Sequence, residues 1–243
     1  MTIHNTFESA QFIAQAAEIA KKIGISLRIG TCFAEYGKLI STHLPAHLVG
    51  QPFDPKRNKF SSNSGFWIAG WNANGALVHK QATRKIQLSR QTLADYMAQK
   101  YTDFLPKGFD LDRARSSYNP GPAARRIKGK VCYHGDLWLS SDYRGTGLVN
   151  VLARFSLATA LQRWAPDYVV GFMERPLAFK GLAEREGYMH SEPGAMSLHS
   201  NNLDQMMEGF MVWSAREDIK HLLTIPLSGL VSIPTRTRQK VAA

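Results

Sequence analysis

A chain of 243 residues, 44% hydrophobic and 20% charged, can bury one sizeable core or form one domain with extra segments. Two cysteines, Cys32 and Cys132, argue against a disulfide framework and a cysteine-rich zinc site, and no apolar run is long enough to span a bilayer. The first six residues lack the basic start and apolar block of a signal peptide, so a soluble cytoplasmic protein is expected, whose net charge of +11 and pI near 9.8 favour an acidic partner such as nucleic acid or a polyphosphate cofactor without choosing among them.

Phe7 to Ile23 reads as a helix, with Phe12, Ile13, Ala16, Ala20 and Ile23 on one face and Gly24 ending it. Ile25 to Ile29 alternates and predicts the first strand. Phe33 to Leu44 predicts a second helix closed by Pro45; the proline between His43 and His47 argues against a metal pair there. After a polar, basic loop over 51–64, Phe66 to Trp71 is a strong strand, 72–75 a turn, and Ala76 to Ile86 its partner. Trp67, Ala69 and Trp71 share a face of that strand, and core packing is their expected role. Gln91 to Leu105 predicts a helix, 116–122 a loop, and Arg125, Arg126, Lys128 and Lys130 a basic run, read as a solvated linker or as a clamp over an acidic ligand.

Val131 to Leu139 predicts a buried strand that Ser140, Ser141 and Asp142 interrupt. Arg144-Gly145-Thr146-Gly147 is a flexible turn. Beyond it Leu148, Val151, Leu152, Phe155, Ala158 and Leu161 recur at three- and four-residue steps, which predicts a helix with one apolar face, stopping by Ala165 before Pro166. A strand that feeds a helix through such a turn places unpartnered backbone N–H groups and the positive end of the helix dipole at one spot. Glycines let a phosphate approach it, and Arg144 adds positive charge. The turn is neither a Walker loop nor a full dinucleotide fingerprint, since position 150 is Asn. Tyr168 to Met173 predicts the next strand, 177–186 a short helix ending in Gly187-Tyr188, 195–199 and 209–213 two further strands, and Arg216 to Leu223 a last helix.

The stretch from Leu137 to Tyr188 resembles the acetyl-CoA-binding motif of the GNAT superfamily of N-acetyltransferases, in which a strand, a turn of the form Arg/Gln-x-x-Gly-x-Gly/Ala and a helix follow one another. Arg144 and Gly147 match that turn, whereas Val149 stands where the family prefers Gly or Ala. The resemblance implies a single α/β (α+β) domain over 1–243, with a mixed, mostly antiparallel central sheet, splayed central strands and flanking helices. Against that frame 89–129 reads as a helical and loop insertion before the central strand. Residues from about 224, with Arg236, Arg238 and Lys240, read as a mobile tail. A 209–213 strand would pair at the sheet's far end.

The resemblance also implies the chemistry: acyl transfer from acetyl-CoA to a primary amine, with no metal. The implied cofactor contacts are Leu139, Ser140, Ser141, Arg144, Gly145, Thr146, Gly147, Leu148 and Val149, with the pantetheine arm pairing strand-like around Leu139 to Ser141. Such a reaction needs a base for the amine, a donor for the thioester oxygen and an acid for the thiolate. Asp136 and His134, two apart on the central strand and so expected on one face, and Glu174 after the next strand are the candidate catalytic groups. Many family members carry the acid as a tyrosine four residues before the closing glycine; Ala183 stands there, leaving Tyr188, Tyr143 or solvent. Two other readings stay open: a GNAT-fold CoA-binding module without efficient catalysis, and a basic nucleic-acid-binding protein. No membrane partner is expected; the acceptor amine and a homodimer are left open.

Overall fold

The computed structural model describes residues 3–105, 108–202 and 206–231, with side chains from Phe7 onward. In chain order the elements are α1 (Ile3–Lys22), β1 (Ile25–Gly30), α2 (Phe33–His43), β2 (Gly65–Asn72), β3 (Leu77–Leu88), α3 (Leu93–Lys100), β4 (Ser117–Tyr118) and β5 (Gly129–Leu139). There follow α4 (Leu148–Trp164), β6 (Tyr168–Glu174), α5 (Arg175–Phe179), α6 (Leu182–Glu186), β7 (His190–His199), β8 (Met206–Ala215) and α7 (Arg216–Thr224).

The strands form an eight-stranded sheet in the order β1-β2-β3-β5-β6-β8-β7-β4. Every neighbouring pair is antiparallel except β5 and β6. That parallel pair is short: Val131, Cys132 and Tyr133 lie opposite Tyr168, Val169 and Val170, and there the pairing ends. Farther along, β5 stays on β3 as far as Leu139, and β6 stays on β8 as far as Glu174. The two central strands therefore part like a V, as the resemblance implied.

Alternation along the strands sorts the core into two layers. On one face Phe12, Ala16, Ile68, Cys132, Phe155 and Val169 pack with α1, α4 and α7. On the other, Phe33, Tyr36, Phe53, Trp67 and Tyr133 form an aromatic cluster under α2 and α3. Phe33–Phe53 and Phe53–Tyr133 stack at 6.0 and 5.6 Å. Burial of each such ring is worth about 1.5–3 kcal/mol. Trp67 is fully buried and its Nε1 donates to the Cys32 carbonyl at 3.0 Å, so it is a core residue as expected.

Four expectations change. α4 does not have one apolar face: every residue from Val151 to Leu161 is buried, because α1 covers the side turned away from the sheet and α6 flanks it. Small residues such as Ala153, Ser156 and Ala160 allow that close approach, and the polar ones have internal partners, Ser156 Oγ meeting Thr83 Oγ1 at 2.8 Å. The 177–186 helix is two short helices, divided at Gly181, whose φ of +70° lies outside the right-handed helical region. β8 is not at the far end; it lies between β6 and β7, with β4, cut from the expected 116–122 loop, at the edge. The 89–129 segment packs through Leu93, Met97, Phe104, Ala124 and Ile127 against the aromatic layer.

Of the segment expected to be mobile from about 224, residues up to Val231 are described. Leu227 is buried, and Asn150 Nδ2 donates to the Leu230 carbonyl at 2.9 Å. Arg236, Arg238 and Lys240 lie outside the described residues.

Candidate active site

Where β5 and β6 part, a cavity of about 610 Å³ opens between them. Its floor includes Tyr133, His134 and Asp136 of β5 and Gly171 and Phe172 of β6. Phe53, Phe104 and Leu105 roof it, and Glu174, Glu186 and Tyr188 complete one wall. A second cavity of about 390 Å³ adjoins it on the side of the glycine turn, lined by Leu139, Tyr143, Arg144, Gly145, Gly147, Leu148 and Val149 together with Lys180 and Arg185. Leu137, Trp138, Leu177 and Leu182 line both, so the two adjoin along these side chains and are together termed the channel.

Six of the nine expected cofactor contacts, namely Leu139, Arg144, Gly145, Gly147, Leu148 and Val149, border that second cavity. Ser140, Ser141 and Thr146 do not line it. Ser140 is engaged on both sides, its N–H donating to Val78 and its carbonyl accepting from Tyr143; Ser141 opens a short 3-10 turn whose carbonyl takes the Arg144 N–H. Thr146 closes the turn from within, its hydroxyl donating to the Tyr143 carbonyl and accepting from Leu148 N. Gly147, at φ +79°, caps α4, and a Cβ there would stand 2.2 Å from the Leu230 carbonyl oxygen.

Lys180 and Arg185 were not anticipated. Lys180 precedes α6 and Arg185 lies on it, and the two bring their cations to the cavity that Arg144 also lines. Arg185 donates only to backbone carbonyls, those of Lys180 and Gly181, and among the described residues no carboxylate pairs with any of the three. The expected clamp is not built from the basic run: Arg125, Arg126, Lys128 and Lys130 line neither part of the channel.

The candidate catalytic groups are placed unequally. Asp136 and His134 do not share a face. Between the pairs Ala82–Gly135 and Lys80–Trp138, β5 carries one residue more than β3, and Asp136 takes a left-handed φ of +55° at this bulge. The alternation is thereby broken, and Asp136 turns toward the aromatic layer. There its Oδ1 accepts from Lys80 Nζ at 2.5 Å and Gly50 N at 3.3 Å, and its Oδ2 from Tyr36 Oη at 2.7 Å. Both partners of the ion pair are buried, Lys80 at 4% and Asp136 at 8% side-chain exposure.

His134 faces α4. Gln81 Nε2 donates to the Leu152 carbonyl, which turns Gln81 Oε1 toward His134 Nε2 at 2.8 Å. That nitrogen therefore carries the proton, and Nδ1 accepts from Tyr188 Oη at 2.8 Å. Burial lowers the imidazole to about 4, so it is neutral near pH 7. Gly171 makes room for this contact: a Cβ there would lie 2.8 Å from Tyr188 Oη. Glu174 is exposed at the cavity mouth, and among the described residues its carboxylate takes no hydrogen bond.

Glu186 was also missed. It is 7% exposed, lines the larger cavity, and burial raises its carboxyl to about 8 against a weaker opposing effect of Arg185. In the sequence it is one more charge in Glu-Arg-Glu at a helix end, a pattern of solvated faces. Among the described residues no three His, Cys, Asp or Glu side chains are arranged to hold a metal, and no helix is long and apolar enough to cross a membrane.

These buried groups set an expected pH profile of stability. Burial lowers His79 and His134 from 6.5 to about 3 and about 4. The unfolded chain then binds their protons first, and stability falls as pH drops from 6.5 through those values. Glu186 acts in the opposite sense: the folded chain keeps a proton that the unfolded one releases near 4.5, and its contribution is lost as pH rises toward about 8. Urea unfolding is expected to give greatest stability near pH 6.5, with the alkaline decline flattened in Glu186→Gln. An unchanged decline in that variant would remove Glu186 as its source.

No protein-family model matches the chain, and no curated protein matches it in sequence. Similar solved structures include NAA60 of Arabidopsis thaliana in complex with acetyl-CoA, at 11% identity over 79% of this chain and 99% of that one, with a TM-score of 0.45. A spermidine N-acetyltransferase SpeG chimera from Vibrio cholerae and hSSAT is 11% identical over 81% of this chain and 98% of its own, at 0.45. An N-acetyltransferase from Staphylococcus aureus Mu50 is 10% identical over 79% and 98%, at 0.44. At these scores the likenesses decide nothing by themselves. The chain itself forms the expected α/β class: a mostly antiparallel sheet, flanked by helices, whose two central strands splay over a glycine-rich helix start.

Proposed function

We propose that this chain is an acyl-CoA-dependent N-acyltransferase that moves an acetyl group from acetyl-CoA to a primary amine by direct attack. The observation that carries the reading is the channel itself. It runs from three cations beside the glycine turn, which no carboxylate pairs with among the described residues, along apolar walls, to the point where β5 and β6 part. A polyphosphate joined to a long, thin arm fits that sequence of chemistries. Arg144, Lys180 and Arg185 hold the phosphates with the N-terminus of α4. Leu137, Leu139, Leu148 and Leu182 flank the arm.

At the parting of the strands the main chain of β5 is not bonded to β6, so it can meet a substrate carbonyl or amide. The amine must arrive neutral. Of the three expected catalytic groups, Glu174 is the one with an unengaged carboxylate at the mouth, and it takes the amine's proton directly or through water. Asp136 and His134 hold the walls: the first anchors Lys80, Tyr36 and Gly50, the second ties Tyr188 to β3.

Thermal unfolding with and without acetyl-CoA tests the reading. A ligand at a hundredfold excess over its Kd adds about 2.7 kcal/mol to the folded state. That corresponds to a rise in Tm of roughly 5–10 °C for a chain of this size. No rise at millimolar acetyl-CoA would sink the proposal and leave the charge of +11 to be explained by salt-dependent nucleic-acid binding.

A further inference from the structure

If the acyltransferase reading holds, a further group must protonate the departing thiolate, and the tyrosine position of the resemblance is Ala183. We infer that Glu186 is the general acid of this site, entering each turnover as a neutral carboxylic acid and giving its proton to the coenzyme's sulfur.

Geometry carries the assignment. Leu182, which lines both parts of the channel, and Glu186, which lines the larger, are four residues apart on α6. They share its inner face, with Glu186 about one helical turn further along. That position shares the lining of the larger cavity with Gly171 and Tyr188, in the region where the strands part and a thioester entering from the turn would end. The carboxyl is buried, and among the described residues nothing donates to it. A carboxyl with so little solvent and no hydrogen-bond donor favours the protonated form, and Arg185 on the same helix opposes this only in part.

The other acids in the cavity are occupied or unsuited. Asp136 is ion-paired with Lys80, and the Tyr188 hydroxyl donates to His134 Nδ1. The Tyr133 hydroxyl has no hydrogen-bond partner among the described residues, but burial raises it far above the physiological range. The groups facing Glu186 are Arg185 on its own helix, Arg154 of α4 packed on Gly187, Tyr133 and His134 of β5, and Tyr188.

The step balances. The amine nitrogen bonds to the acyl carbon and loses one proton to Glu174 or water. The carbon–sulfur bond breaks, and the sulfur leaves with the electron pair and takes the Glu186 proton. Water or Glu174 then returns a proton to Glu186, so neither carboxyl changes over the cycle.

The test compares wild type, Glu186→Gln and Tyr133→Phe. It uses acetyl-CoA with n-butylamine, spermidine and a lysine peptide, following thiol release and, in parallel, the Tm rise with acetyl-CoA. Glu186→Gln keeps the shape and neutrality of the acid, so its Tm rise and KM for acetyl-CoA should match wild type while kcat falls by about a hundredfold or more. Wild-type kcat/KM should decline above about pH 8, a limb absent in Glu186→Gln and kept in Tyr133→Phe. A carboxyl 13C resonance titrating near that pH in wild type and missing from Glu186→Gln reports the same group without turnover. Turnover in Glu186→Gln within threefold of wild type, or loss of the limb in Tyr133→Phe instead, overturns the inference and leaves the acyltransferase reading standing. Absence of any Tm rise, or binding without thiol release from wild type, overturns that reading and the inference with it.

Discussion

Alanine at Asp136 is expected to lower stability by about 3–5 kcal/mol, the cost of removing one partner from a buried ion pair. For a chain of this size that is a fall in Tm of roughly 10 °C. Lys80 would remain 4% exposed, with the main-chain carbonyl of residue 136, 3.3 Å from its Nζ, as its remaining acceptor. Tyr36 and Gly50 would lose their acceptor as well, and with them the tie between α2, the 50–53 turn and β5. Removing both charges should cost much less: Lys80→Met with Asp136→Asn leaves no uncompensated ion and keeps a residue that tolerates φ +55°. Urea unfolding of the two single variants and the double gives the coupling directly. A loss below about 1 kcal/mol for Asp136→Ala would mean that the pair is effectively solvated. The double variant also separates two roles. If it folds like wild type and still turns over acetyl-CoA, Asp136 is an anchor; if it folds and is inactive, Asp136 belongs to the chemistry.

Replacing Arg144, Lys180 and Arg185 together by alanine is expected to weaken acetyl-CoA binding by about a hundredfold. Each is an exposed cation, so each contributes about 1 kcal/mol at most to a phosphate contact. Three such losses approach 3 kcal/mol, or two decades in Kd. The wild-type Kd should rise with salt, and the triple variant's should rise less steeply. Isothermal titration at two ionic strengths reads both effects, and a Kd within threefold of wild type would remove the phosphates from this lip. Charge substitutions are a cleaner test than a side chain at Gly147, because a Cβ there meets the Leu230 carbonyl and would disturb folding and binding together.

What the sequence determined by itself was what short-range geometry controls. Period-2 and period-3.6 patterns placed β1, β2, β3, β5 and β6 and the helices α1, α2, α4 and α7 within a few residues of where they lie. The Arg144–Gly147 turn was legible because a strand stopper, glycines and a new period follow one another in the chain. Tertiary structure decided the rest, because it depends on partners distant in sequence. α4 is buried all round because α1, more than a hundred residues earlier, lies across it. The break in alternation at Asp136 requires Lys80 and Tyr36, 56 and 100 residues away, to hold a carboxylate on the unexpected face. Glu186 reads as solvated in Glu-Arg-Glu, and only the packing of α6 on α4, beside the cavity between the parted strands, removes most of its solvent and keeps its proton. Local spacing does not encode which face a neighbour will cover, and burial is what turns these carboxyls into an anchor and an acid.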